Sequence, residues 1–380
     1  MPEEQLLRCR GRRVFIGPAS EDVEAWSVQA HWNGWNAGIG PAHEHIRIGR
    51  SDCVLAGIAA GALAVGQAFL AEQGDPRAGR TMQSLSLWSP ELGERGTDDP
   101  GPETFYLPLE LWLIGLGNLG QSYLWALTML QYPSPDSVLL FLQDDDLVQE
   151  GNWGTSILVD RGRYDVLKTR VAEEWAERRG FRARRVDRRL DEYLRRSDRE
   201  PTLALAGLDR MAPPRILGRP GFEYVVDAGL GSTAADYQKF RINVFDRMSD
   251  PAVHFAGIED ETERVVKELM ELPAYQELAL RDGDGGCGAA MLAERSVAVP
   301  FVSAFVGALA VTQAIRISCG EGHHTSTTGN VGDMRSIRAT VGQRPERINL
   351  ASTSIGSGDT KAIQTPSVIY GDGLDAMART

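Results

Sequence analysis

The chain has 380 residues, 42% apolar and 24% charged, as expected of a soluble globular protein with room for two or more domains. Its 40 basic against 52 acidic residues leave a net charge of −12, which argues against a general nucleic-acid binder, because phosphate contacts need clustered Lys and Arg. Cys9, Cys53, Cys287 and Cys319 are scattered with no C-x-x-C spacing, which argues against a disulfide framework and a zinc knuckle.

The opening "MPEEQLLRCRGRR" has no apolar run suited to a signal peptide. Residues 14–50 read as strands and turns, broken by Asn-Gly and Gly-Pro. An Ala/Gly helix follows over about 52–72. Its core, "VLAGIAAGALAVGQAFL", includes Gln67 and fits a buried helix better than a membrane span, so the expectation is a cytoplasmic protein with no membrane association. "SPELGERGTDDPGPE" (89–103) carries no apolar period and marks a domain boundary.

From "LELWLIGLGNLG" onward, short apolar strands alternate with helices: "LWLI", "QSYLWALTMLQ", "SVLLFL", a helix near 163–179, "TLALAGL", "EYVVDAG" and "FRINVF". That alternation implies a largely parallel sheet covered on both faces. A helix at about 261–281 leads into "RDGDGGCG", and a last helix runs from about Val297 to Ile317. The tail beyond it offers only short strand-like pieces. "GALAVGQAFL" (61–70) and "GALAVTQAIR" (307–316) agree at seven of ten positions. Either two core helices drew on the same small residues, or the N-terminal segment is a degenerate partial copy of the main domain.

"GLGNLG" places Gly115, Gly117 and Gly120 between a strand and a helix. Glycines let backbone approach phosphate, and the helix start offers N–H groups and a positive dipole end. The motif alone serves NAD or FAD enzymes, methyltransferases and nucleotide adenylyltransferases alike. The next strand ends in "QDDDLVQEGNWG", where Asp144 is placed to accept hydrogen bonds from a ribose. Asn152 lies six residues after Asp146, Lys168 sixteen after Asn152, and Asp209 ends a later apolar strand.

This ordering resembles the ThiF/MoeB and ubiquitin-activating-enzyme superfamily over about 109–318. The resemblance implies an α/β chain: a Rossmann-like adenylation domain with a mostly parallel sheet over 106–320, a smaller α+β segment over 1–105, and an extension over 321–380. It further implies ATP and Mg2+ as ligands. The turn Gly115, Gly117, Asn118, Leu119 and Gly120 would cradle the nucleotide, with Asp144 and Asp146 near its ribose. Asn152 and Lys168 would contact the phosphates and Asp209 would bind magnesium. The implied reaction is adenylation of the C-terminal glycine of a ubiquitin-like or sulfur-carrier β-grasp protein.

Cys287, in a Gly-rich loop near 282–296 ahead of the last helix, matches the thioester cysteine of homodimeric activators, which implies transfer to a conjugating enzyme. The family also implies a homodimer. One position departs from the pattern: an Arg usually follows the Asn by three residues, and Thr155 stands there. Arg161, Arg163, Arg170 or an arginine of "RCRGRR" from a second subunit are the substitutes on offer. Three alternatives stay open: a sulfur-carrier adenylyltransferase without a thioester step, an NAD-dependent oxidoreductase, and an inactive scaffold half.

Overall fold

The computed structural model describes residues 12–17, 19, 26–44, 46, 53–208, 213–231, 236–256, 299–344 and 350–355. Its main body is an eight-stranded sheet built on β6 (Glu110–Ile114), β7 (Leu139–Gln143), β8 (Arg182–Val186), β9 (Leu203–Ala206), β10 (Tyr224–Leu230), β11 (Lys239–Asp246), β12 (His324–Asn330) and β13 (Asp333–Val341). The spatial order is β13-β12-β11-β10-β9-β6-β7-β8. The five strands from β10 to β8 are mutually parallel.

Alternating side chains of the parallel strands feed two cores, as the period of two demands. Leu111, Leu113, Leu140, Leu142, Leu203 and Leu205 face one. Trp112, Ile114, Phe141, Ala204 and Ala206 face the other. The strands therefore read as continuous apolar runs, the mark of parallel strands buried on both sides. From β6 the chain winds outward through β7 and β8, then returns to β9 on the opposite side of β6. The crevice between β6 and β9 is thus a topological switch point.

The longer helices among the described residues are α1 (Val54–Glu72), α2 (Asn118–Met129), α3 (Lys168–Arg178) and α4 (Pro300–Ser318). Pro300 opens α4, where a missing N–H costs nothing. Both α1 and α4 are long and apolar enough to cross a membrane, but α4 is buried throughout and α1 packs against it, as core helices do. A Cβ on Gly307 would meet the Ser122 backbone at 3.1–3.2 Å, so that glycine sets how closely α4 approaches α2.

The sheet is mostly parallel, as expected, and its remaining three strands run in alternating sense. Strand β11, apolar like its neighbours, runs antiparallel to β10, and β12 and β13 continue antiparallel. Residues 324–341, expected in an extension, therefore complete the main sheet. Their sequences "HTSTTGN" and "DMRSIRATV" bury few positions, His324 and Thr327 on one strand and Met334 and Ile337 on the other, which suits strands near a sheet edge.

A second sheet, in the order β1-β2-β3-β4, comprises β1 (Arg13–Ile16), β2 (Ser27–Asn33), β3 (Asn36–Pro41) and β4 (Gln83–Ser86). Here β1 pairs parallel with β2, while β2 with β3 and β3 with β4 pair antiparallel. Helix α1 lies between β3 and β4 in the chain. The same pairing senses hold from β9 to β12, with α4 the last helix before β12. Both echoing decapeptides lie in these helices, and their shared glutamines act alike. Gln67 accepts the Gly79 N–H at 2.8 Å, and Gln313 accepts the His324 N–H at 2.9 Å.

The stretch read as a linker is fastened rather than loose. Its 3-10 segment Pro90–Asp98 carries Glu91, whose carboxylate meets the buried His324 ring at 2.8 Å. Strand β5 (Phe105–Pro108) follows and pairs with β14 (Ser352–Ile355).

Candidate functional site

A cleft of about 400 Å³ opens where β6, β7 and β9 end, at the switch point. Strand β6 delivers Gly115 and Gly117, β7 delivers Gln143 and Asp144–Asp146, and β9 delivers Gly207 and Leu208. Lys168 enters from the start of α3, and Arg188, Arg189 and Leu190 form a wall after β8.

The glycine turn has two strict requirements. Gly115 sits at φ +79°, a left-handed conformation that side chains resist. A Cβ at Gly120 would lie 1.8 Å from the Gly115 carbonyl oxygen, so helix α2 closes on the turn only with glycine there. Backbone bonds Gly115 N–H to Gln143 and Gly207 N–H to Ile114, both 2.9 Å, lock the three strand ends together.

Asp144 is nearly buried, and its two oxygens accept N–H groups from different loops: Leu116 at 2.6 Å and Asp146 at 2.8 Å. Burial pushes its carboxyl above the ordinary range, only partly offset by the Lys168 charge and those two N–H donors. Each oxygen keeps a lone pair for a ligand hydroxyl. Lys168, also nearly buried, donates to Asp146 at 2.7 Å, so its charge is held by a half-exposed carboxylate. Oxygens of Asp144, Asp145 and Asp146 lie within 4.8 Å of one another, a spacing suited to a hard divalent cation.

Of the residues expected at the site, Gly115, Gly117, Asp144, Asp146 and Lys168 line this one cleft. Gly120 shapes the turn from behind. Asn118 and Leu119 are buried in the first turn of α2, where the Asn118 amide oxygen accepts the Ser303 hydroxyl at 2.7 Å. Asn152 does not line the cleft; its amide oxygen accepts the Gln149 N–H at 2.9 Å and caps a 3-10 turn. Asp209 and Cys287 lie outside the described residues.

Of the arginines considered in place of Thr155, Arg161, Arg163 and Arg170 do not line the cleft, and Arg8 and Arg10 of "RCRGRR" lie outside the described residues. Arg161 stacks on Trp153 at 4.1 Å, and Arg163 and Arg170 both pair with Glu174. The arginines that do line it, Arg188 and Arg189, come from the opposite wall. Sequence reasoning passed over them, together with Gln143, whose side chain takes the Trp112 indole N–H at 2.9 Å and reaches the Arg188 carbonyl at 3.3 Å. The one available signal for Gln143 was an amide closing an otherwise apolar strand.

Elsewhere the minor candidates resolve simply. Cys319 accepts the Tyr106 N–H at 3.2 Å, and burial pushes the Cys53 thiol up to about 11. Among the described residues, only the Asp144–Asp146 triplet groups three metal-ligating side chains.

Two family profiles match the chain in succession: the BilD N-terminal domain over residues 6–87 and the BilD C-terminal domain over 107–321. The bacterial E1-like protein BilD of Collimonas sp. (strain OK412) is 35% identical over 294 residues, covering 77% of this chain and 62% of that protein. The chain thus spans about three fifths of that relative's length. Among solved structures, selenomethionine PaaA is similar at TM-score 0.39 and 13% identity, covering 62% of this chain and 64% of that one. E. coli MccB with ATP is similar at TM-score 0.38 and 10% identity, covering 62% and 65%. Likenesses so distant carry no weight here. With the C-terminal profile alone matching more than half of its length, this chain belongs to the BilD family.

Proposed function

We propose that the chain activates a carboxylate by joining the C-terminal glycine of a ubiquitin-like or sulfur-carrier β-grasp protein to the α-phosphate of ATP, with release of pyrophosphate. One observation carries this reading: the glycine turn, Asp144 and Lys168 converge on a single cleft at the switch point. The E1-like description of the Collimonas relative supports it.

The attacking carboxylate has a pKa near ~3.5 and is ionised at neutral pH, so no general base is needed. What remains is placement and charge. The first turn of α2 presents backbone N–H groups to the phosphates. Asp144 accepts ribose hydroxyls with its remaining lone pairs. Lys168 leaves Asp146 for the phosphate chain, exchanging one anion for another. Asn152 joins it once its amide is released from Gln149. Magnesium, when bound, adds positive charge against the departing pyrophosphate; Asp209 is its proposed ligand, and the Asp144–Asp146 oxygens suit the same hard cation.

Cys287 is the proposed acceptor of the acyl group. Its thiolate attacks the acyl-adenylate carbonyl, a thioester forms, AMP departs, and a conjugating enzyme then takes the acyl group. ATP–pyrophosphate exchange, dependent on a β-grasp partner, tests the first step. Lys168→Ala is expected to lower it at least ~100-fold, the scale of losing one charge-stabilising donor. Cys287→Ala should leave exchange intact while a reducible adduct disappears. If the adduct never forms, the carrier-type enzyme without a thioester replaces this reading; if exchange itself never occurs, the inactive scaffold does.

The N-terminal unit is proposed to be a degenerate copy of the β9–β12 unit, supported by the matching decapeptides, pairing senses and glutamine roles. A cytoplasmic location and a homodimer stay part of the proposal. Because α1 of the same chain already lies on α4, a second copy has to dock elsewhere, and light scattering decides its presence.

A further inference from the structure

We infer that Arg189 is the base-binding residue of the cleft, its guanidinium lying over the purine ring of the bound nucleotide. This deepens, and rests on, the nucleotide reading above. Its neighbours fix the backbone on both sides. The Arg188 carbonyl accepts the Gln143 amide at 3.3 Å, its guanidinium is tied to Asp191 at 2.5 Å, and Leu190 is buried in the core beside Phe141. Arg189 itself is exposed, lines the cleft, and has no hydrogen-bond or ion-pair partner among the described residues. Of the cations lining the cleft, Lys168 is held by Asp146 and Arg188 by Asp191, so Arg189 alone is uncommitted among the described residues.

Its place in the sheet says which part of the ligand it meets. The glycine turn follows β6, Asp144 ends β7, and Arg189 follows β8, the next strand outward. At about 4.8 Å per strand, Arg189 stands roughly 10 Å from the phosphate turn, beyond the sugar position. A nucleotide laid from turn to aspartate therefore brings its base to this wall, not its phosphates. A planar guanidinium stacks on a base where an ammonium does not, so arginine and lysine are not equivalent here.

Calorimetry on the full chain with ATP, AMP and adenosine tests this. For Arg189→Ala we expect about ten-fold weaker binding, by the same factor for all three, as loss of a base stack gives. Arg189→Lys should not restore it, and an unchanged melting temperature for both variants keeps folding out of the result. A loss confined to ATP, rescue by lysine, or no loss at all overturns the assignment while leaving nucleotide binding in place. Failure of the unaltered protein to bind any of the three overturns the nucleotide reading and this inference together.

Discussion

The β1–β4 unit and the β9–β12 unit share wiring, helix position and a structural glutamine, yet only the second borders the cleft. The difference lies in what each is joined to. β9 pairs with β6, and that junction creates the crevice into which the turn, Asp144 and Lys168 project. Among the described residues, β1 pairs only with β2 and the N-terminal sheet buries no carboxylate. Its buried polar groups fasten loops: Gln29 donates to Gly17 and Ile46 carbonyls, and Asn36 to those of Thr97 and Asp99. Chemistry here belongs to a meeting of strand ends, not to a fold unit.

That contrast predicts effects of decreasing size. Gly120→Ala, which drives a methyl group into the Gly115 carbonyl, should cost about 4 kcal/mol or more in urea unfolding and abolish nucleotide binding. The aligned glycines Gly307 and Gly61 separate the units more finely. Gly307→Ala meets the Ser122 backbone and should destabilise by about 1–3 kcal/mol. The two glutamines should behave alike: Gln67→Ala and Gln313→Ala each strand a backbone N–H, at about 1–3 kcal/mol apiece. A large gap between them would break the likeness.

Binding should also titrate. Because burial raises the Asp144 carboxyl, protonation begins at a higher pH than for an exposed aspartate, and the neutral form loses acceptor capacity. Adenosine affinity is therefore expected to fall on acidification, starting at a higher pH than an exposed aspartate would give, and Asp144→Asn should flatten that dependence. Smallest is Gly61→Ala: beyond its own helix turn, no atom of the described residues lies within 4 Å of the added methyl, so it should stabilise α1 by about 0.5–1 kcal/mol, opposite in sign to its counterpart.

The parallel half of the sheet was legible because its strands are short apolar runs separated by helix periods and punctuated by the glycine turn. The antiparallel half was not. "FRINVF" is as apolar as its neighbours, and strand direction leaves no mark on such a run. Strands β12 and β13 are polar enough to pass for a tail, since each buries only two residues. At the site, the cleft-lining residues after β6 and β7 could be read from motif order. Arg189 could not, because its relevance depends on β8 lying next to β7, which no spacing encodes. The capping bond of Asn152 is likewise invisible in a pattern that records only residue type and distance along the chain.

Asp144 bridges two loops before any ligand arrives, holding the Leu116 amide within the glycine turn with one oxygen and the amide of its own loop with the other. Under the proposed nucleotide reading, a sugar lands on a seat already assembled, and little chain entropy is left to be lost on capture. Under the same reading, the clasp ties the shape of the bend proposed to face the phosphates to the charge state of one acid, so a proton reaching Asp144 would loosen both ends of that berth at once.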